Sequence, residues 1–292
     1  MRVLYVMVLA VFHVALSDTL TEVLESKLEL LVMKRLLEHC KLTETLLSEN
    51  VTIFAPVNGA FRNLSEDMLD KLSTDYNLMV ELLKYHVVIG NESLQNDGRY
   101  QTMNGRHVRY NNYQHNEVST VDGVIITEIV PINNGALYII DEVLIPYPNR
   151  TVLDIISTDP DFSQSYEFIK IAKMEELLLG DDVTAFIPVN AGYEKLGAAV
   201  RNNVAMTPNL LKEIFGYHLT HGTLYSPGLY NSEKVRTLST LRDTATIRQH
   251  NGYTRVNYAT IKRPDIKATN GVVHGINLVL VQSRFYTAIL SG

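Results

Sequence analysis

Thr52-Ile53-Phe54-Ala55-Pro56-Val57-Asn58-Gly59-Ala60-Phe61 returns 132 residues later as Thr184-Ala185-Phe186-Ile187-Pro188-Val189-Asn190-Ala191-Gly192-Tyr193. Each copy reads as a buried strand stopped by a proline, which has no N–H to continue a ladder. The Asn two residues on is placed to cap the short helix that follows, its side chain taking a free backbone N–H. The same offset pairs Thr19 with Thr151, Leu46 with Leu178, Tyr85 with Tyr217, His86 with His218 and Gly90 with Gly222. A later landmark, Asn134-Gly135 against Asn270-Gly271, pairs at 136, so the second copy holds about four extra residues in its later half, expected in a hairpin loop. A repeat this long is a whole domain, since solenoid repeats run to only ~20–50 residues.

Ahead of the first copy, Arg2 and the apolar run Val3 to Leu16, broken only by His13, precede the small residues of Ala15-Leu16-Ser17. That order reads as a secretory signal peptide over residues 1–17, too short to span a bilayer. The expected domains are then 18–147 and 148–282, with a short polar tail at 283–292. The tail suits neither a spanning helix nor a lipid-anchor signal. Four Asn-x-Ser/Thr acceptors, at Asn50, Asn63, Asn91 and Asn149, fit an exported glycoprotein. Asn50 adjoins the repeated strand, where crowding would block it. All four lie in the first domain or the linker, which leaves the second domain free of glycan.

Within each copy the period of the apolar residues changes. Val23, Leu24, Leu28, Leu31, Leu36, Leu37 and Cys40 recur at helical spacing, as do Ile155, Ile156, Phe168, Ile169 and Ala172. Further helical runs are expected over Ser65 to Val87 and Pro208 to Leu219, the first capped by Ser65. Past Gly90 and Gly222 the pattern alternates in short segments around Asp122-Gly123 and Asn251-Gly252, the signals of two-residue hairpins. Apolar closing strands follow at Ala136 to Ile145 and Val272 to Val281, read as central in each domain. Helices first and strands later define an α+β class.

Composition narrows the functions. The net charge is −6 and no block of Lys or Arg stands out, so a nucleic-acid partner lacks its electrostatic footprint and polyanions are not favoured. Cys40 is the single cysteine, so no internal disulfide forms. Its counterpart is Ala172, which favours a small buried residue over a reactive thiol. No metalloprotease, nucleophile-elbow, phosphate-loop or Cys-x-x-Cys motif occurs. His218 and His221 supply two ligands where tetrahedral zinc needs three or four, and with Gly222 they read as a helix end. No catalytic residue, metal or cofactor is expected.

Three landmarks recur in order in both copies: the strand ending Phe54-Ala55-Pro56-Val57-Asn58, the Tyr-His pairs Tyr85-His86 and Tyr217-His218, and the closing strands after Asn134-Gly135 and Asn270-Gly271. Together they resemble the fasciclin I-type domain family, over essentially Thr19 to Val281. The resemblance implies two tandem domains, each a β-sandwich or wedge with helices packed around it. It also implies adhesion or matrix roles like those of proteins related to periostin. Partners would be extracellular matrix proteins or cell-surface receptors such as integrins, with a second copy of the chain as a further option. Under the same resemblance, Tyr85, His86, Tyr217 and His218 would belong to an integrin-contacting surface. Their apolar flanks equally suit rings buried and hydrogen-bonded inside the fold.

Three positions depart from the family pattern: Tyr138 where His is frequent, Asn277 opposite Asp141, and Val281 opposite Pro146. These bear on packing and polar satisfaction. Pro146-Tyr147-Pro148 makes a short linker expected to restrict the domains' orientation. Asn104-Gly105-Arg106 reads as a turn, and the sixteen tyrosines, some near Tyr100, Tyr110 and Tyr113, suit either a contact surface or outward strand positions. The reading is thus of a secreted, non-enzymatic adhesion or matrix protein. The rival is an extracellular carrier of an apolar small molecule or lipid.

Overall fold

The repeated strands, β1 (Val51–Pro56) and β8 (Val183–Pro188), are buried along their whole length. In the computed structural model, which describes residues 17–90, 93–194 and 207–285, each lies next to the edge of its own seven-stranded sheet. The expected signal peptide before Ser17 and the acceptor Asn91 lie outside the described residues, as does most of the tail. The first sheet adds β2 (Val87–Ile89), β3 (Gly98–Gln101), β4 (His107–Tyr113), β5 (Val118–Val121), β6 (Val124–Ile132) and β7 (Gly135–Ile140), in the order β2-β1-β7-β6-β5-β4-β3. The second adds β9 (Leu219–His221), β10 (Lys234–Arg236), β11 (Thr244–His250), β12 (Tyr253–Val256), β13 (Ala259–Ala268) and β14 (Gly271–Ile276), in the order β10-β11-β12-β13-β14-β8-β9.

Every neighbouring pair is antiparallel except β1 with β7 and β8 with β14. Each sheet curls until its two edges meet, through bridges Val88–Thr102 and Thr220–Thr237. The expected wedge is therefore one sheet folded onto itself, with little unpaired edge left open. Successive residues of β1 serve opposite faces: Ile53 packs under the helices with Leu20, Leu37, Leu46 and Leu83, and Phe54 packs inside the curl with Tyr100, Tyr110 and Val121. The second domain repeats this with Ala185 and Phe186. Burial on both faces is why these strands read as continuous apolar runs.

The Asn-Gly landmarks are explained by close approach. A Cβ on Gly135 or Gly271 would lie 1.9 Å from the carbonyl oxygen of Val51 or Val183, so neither position accepts a side chain. Asn134 donates to the carbonyls of Leu46 and Glu49, and Asn270 to those of Leu178 and Gly180, tying the central strand to the preceding helices. Thr19 and Thr151 form reciprocal capping boxes with Glu22 and Asp154. Cys40 is buried, as is Ala172.

Three local expectations are corrected. Asn58 does not cap the helix it begins. Its Oδ1 accepts from Val32 N–H and its amide donates to Leu28 O, both at 2.8 Å, so it caps an earlier helix across the fold. Asn190 does the same for Gln164 and Pro160, at 3.1 and 2.8 Å. The helix expected over Ser65 to Val87 is two helices, Glu66–Thr74 and Tyr76–Tyr85, because Asp75 takes the Leu78 N–H and starts a new one. The extra residues of the second copy do not all fall in a hairpin loop. The offset rises from 132 at Gly90/Gly222 to 135 at Arg99/Lys234, which hold matching register positions, so three precede β10.

Candidate functional site at the domain junction

All four Tyr-His side chains are at most 7% exposed. Leu144 N–H donates to His86 Nε2 at 2.9 Å, which leaves Nδ1–H to donate to Leu82 O at 2.8 Å. His218 repeats this with Leu280 N–H and Ile214 O, at 2.9 and 2.7 Å. Burial drives each imidazole pKa down to about 4, against the opposing pull of the bond to the helix carbonyl. Each neutral ring rivets a helix end to the segment after the central strand. The Tyr85 hydroxyl sits 2.8 Å from Asp122 Oδ2, and Tyr217 accepts from Asn257 Nδ2 at 2.9 Å.

Asp122 leads from this rivet to the junction. It opens the hairpin between β5 and β6 with a φ of 48°, and Gly123 follows at 81°, as the Asp-Gly signal implies. Its buried carboxylate also accepts Arg109 N–H at 2.8 Å. Burial raises its pKa, against the pull of Lys267 and these bonds. The Arg109 side chain points outward from β4, yet is only 3% exposed, because the second domain covers it. Its Nη1 lies 2.8 Å from Asp97 Oδ1 and 2.5 Å from Asp182 Oδ1, the latter just before β8 of the second domain. Burial alone would lower the Arg109 pKa, and the two carboxylates more than reverse it.

The rest of the junction is built around one segment, Thr223 to Gly228. Asp97 Oδ2 accepts Thr223 N–H at 2.8 Å, and Asn111 and Tyr113 donate to Thr223 O at 3.1 and 2.9 Å. Tyr225 N–H donates to the Tyr113 hydroxyl at 2.9 Å, and Asn116 donates to Pro227 O at 2.9 Å. Tyr113 lies so close to Gly228 that a Cβ there would stand 2.4 Å from its ring, and Tyr225 crowds Gly123 at 2.7 Å in the same sense. His274, the histidine whose place Tyr138 takes in the first copy, shapes this segment: it lies 2.8 Å from Leu224 O, while Asp265 accepts Ser226 N–H at 2.7 Å. Tyr138, at the matching place, packs on Phe54 as His274 stacks on Phe186. The extra residues before β10 lie in or next to this docking segment.

The linker is held from both sides, with Arg106 donating to Tyr147 O at 2.8 Å and Thr269 N–H to Arg150 O at 2.9 Å. Beside it an open cleft of about 530 Å³ is lined by Arg99, Arg106, His107, Tyr147 and Thr269 among others. Asn50, Asn63 and Asn149 are exposed, so strand β1 does not bury Asn50. Among the described residues no group of three His, Cys, Asp or Glu could hold a metal, and no helix is long and apolar enough to cross a membrane.

Two copies of a helix-flanked, seven-stranded curled sheet, docked through a buried arginine, define a tandem fasciclin-type pair. The Fasciclin domain profile matches residues 29–146 and 160–282, and the chain belongs to that family. It is 29% identical over 237 residues to transforming growth factor-beta-induced protein ig-h3 of Sus scrofa, covering 80% of this chain and 33% of that protein. It is 27% identical over 237 residues to periostin of Homo sapiens, covering 78% and 27%, and 27% identical over 271 residues to fasciclin-1 of Schistocerca americana, covering 80% and 39%. The chain thus spans about a third of the length of these relatives. The solved FAS1 domain pair from the insect cell adhesion molecule fasciclin I matches at 22% identity and a TM-score of 0.42, covering 88% of this chain and 98% of that one.

Proposed function

We propose that the chain is a secreted adhesion or extracellular-matrix protein that binds cell-surface receptors or matrix components through surfaces of both domains, without catalysis. The observation that carries this is family kinship across both halves, with relatives such as periostin and fasciclin-1. The junction supports it further, because a buried ion pair and a fitted docking segment hold two binding modules in one orientation. Contacts made jointly by linked modules exceed either alone, by ~10²-fold or more where geometry allows both. In this reading the buried Tyr-His pairs maintain the surface that a receptor such as an integrin touches, without touching it themselves. Glycans at Asn50, Asn63, Asn91 and Asn149 would leave the second domain the more accessible face.

The test is capture of partners from native extracellular extract, with the intact chain as bait. Recovery of matrix proteins or adhesion receptors that also bind the purified chain is the expected result. Recovery of none, with an apolar small molecule bound to the purified chain instead, would contradict the reading.

A further inference from the structure

The outer face of β10 to β13 concentrates charge of one sign. Val235, Ala245, Ile247 and Val256 point into the curl, so the alternate positions point out. Those positions carry Lys234, Arg236, Arg248, Arg255 and Lys262, all exposed. None of the outward positions from Lys234 to Lys262 on these strands is acidic, and among the described residues none of the five cations makes an ion pair. Spread over 29 positions of an acidic chain, they form no block in the sequence. The strand register gathers them.

Two features make this face more than a solvated surface. Arg248 and Arg255 stand directly opposite in the ladder, an arrangement that costs stability when no carboxylate relieves it. The corresponding face of the first domain is also its docking face. Arg109 and Thr246 hold matching positions, their N–H groups bonded to Asp122 and Asn257, so Arg248 and His250 match Asn111 and Tyr113, which contact the second domain. There the buried cation meets Asp182 from the next module; here, among the described residues, the cations meet no carboxylate.

We infer that this face binds a linear sulfated polysaccharide. Rows of cations on strands ~4.8 Å apart suit a chain of repeating anions, and guanidinium groups grip sulfate through paired N–H donors. Tyr253, 55% exposed with Lys262 Nζ 5.6 Å from its ring centre, offers a flat ring to a sugar. The outward positions hold no aliphatic residue and are rich in charge, the reverse of the charge-depleted core of a protein interface. A second copy fits poorly. Asn50 stands where Asp182 does, its carbonyl accepting from Gly90 as that of Asp182 accepts from Gly222, so the copy would bring no carboxylate there.

The inference names the matrix component for the function proposed above and rests on that reading for its role. The test uses the full chain on immobilised heparin. Arg248→Ser/Arg255→Ser/Lys262→Ser is compared with Arg35→Ser/Arg62→Ser/Lys71→Ser, which changes net charge equally on the first domain. The unsubstituted chain and the first-domain variant should be retained at physiological salt and released as screening rises. The face variant, with a melting temperature at or above that of the unsubstituted chain, should bind about tenfold more weakly or worse. Three results would overturn the inference: no retention of the unsubstituted chain, equal loss in both variants, or a dimer in the absence of heparin that the face substitutions dissociate. Heparin retention without binding to native matrix would uphold this face and contradict the matrix reading. Matrix binding undiminished by the face substitutions would do the reverse.

Discussion

Arg109 Nη1 of the first domain lies 2.5 Å from Asp182 Oδ1 of the second while it holds Asp97, in the loop before its neighbouring strand, at 2.8 Å. One guanidinium thus fixes a loop and a domain orientation together. Arg109→Gln leaves Asp97, only 18% exposed, without its cation, at a cost of about 3 kcal/mol to the docked state. The expected outcome is a larger radius of gyration in solution scattering and separate melting of the two domains. Asp182→Asn should cost less, about 1 kcal/mol, because that carboxylate is 44% exposed.

The docking segment leaves no room at Gly228, where a Cβ would stand 2.4 Å from Tyr113. Gly228→Ala should weaken docking by about 1–3 kcal/mol, the range for overpacking. Faster proteolysis at the linker around Pro146-Tyr147-Pro148 checks it. Cleavage at the unsubstituted rate would show that the segment yields easily.

The two junction tyrosines should respond differently to loss of the hydroxyl. Tyr113 accepts from Tyr225 N–H and donates to Thr223 O, both at 2.9 Å; Asn111 still serves Thr223 O, so Tyr113→Phe strands the Tyr225 N–H at about 1–3 kcal/mol. The Tyr225 hydroxyl is buried without a partner among the described residues, so Tyr225→Phe should be neutral or stabilising. Denaturant midpoints of the two variants give the comparison directly.

Acid should weaken both domains through their histidines. His86 and His218 have folded pKa values of about 4 against an ordinary 6.5. Between those values the unfolded chain takes up protons that the folded one refuses, so stability is full above pH 6.5 and falls as pH drops toward 4. The loss is about 3 kcal/mol per histidine across that window. Asp154 and Asp159, whose pKa values are lowered mainly by the Thr151 and Arg263 hydrogen bonds, act at lower pH. Urea unfolding at pH 7 and pH 4.5 measures the drop, and a flat profile would refute the buried-neutral assignment.

What the sequence revealed follows from which interactions are periodic. β1 and β8 were legible because burial on both faces writes a continuous apolar run before a proline, and the duplication printed it twice. Asn134-Gly135 and Asn270-Gly271 were legible for the same reason. Asn58 misled because its partners, Leu28 and Val32, lie in an earlier helix that local capping rules ignore. Beyond its short linker, Pro146-Tyr147-Pro148, the junction was not legible. Arg109 and Asp182 stand 73 residues apart and their counterparts, Thr246 and Asn50, carry no charge, so neither spacing nor duplication marks them. The cations of the second domain were hidden likewise, since strand register brings together what the sequence keeps apart.

The direct test of a linked, surface-acting pair is the affinity of the intact chain for native extracellular matrix, measured beside its two halves, 18–147 and 148–282, each of which holds its own cores. The account predicts that the intact chain binds ~10²-fold more tightly than either half. A single half that binds as tightly as the whole would contradict it.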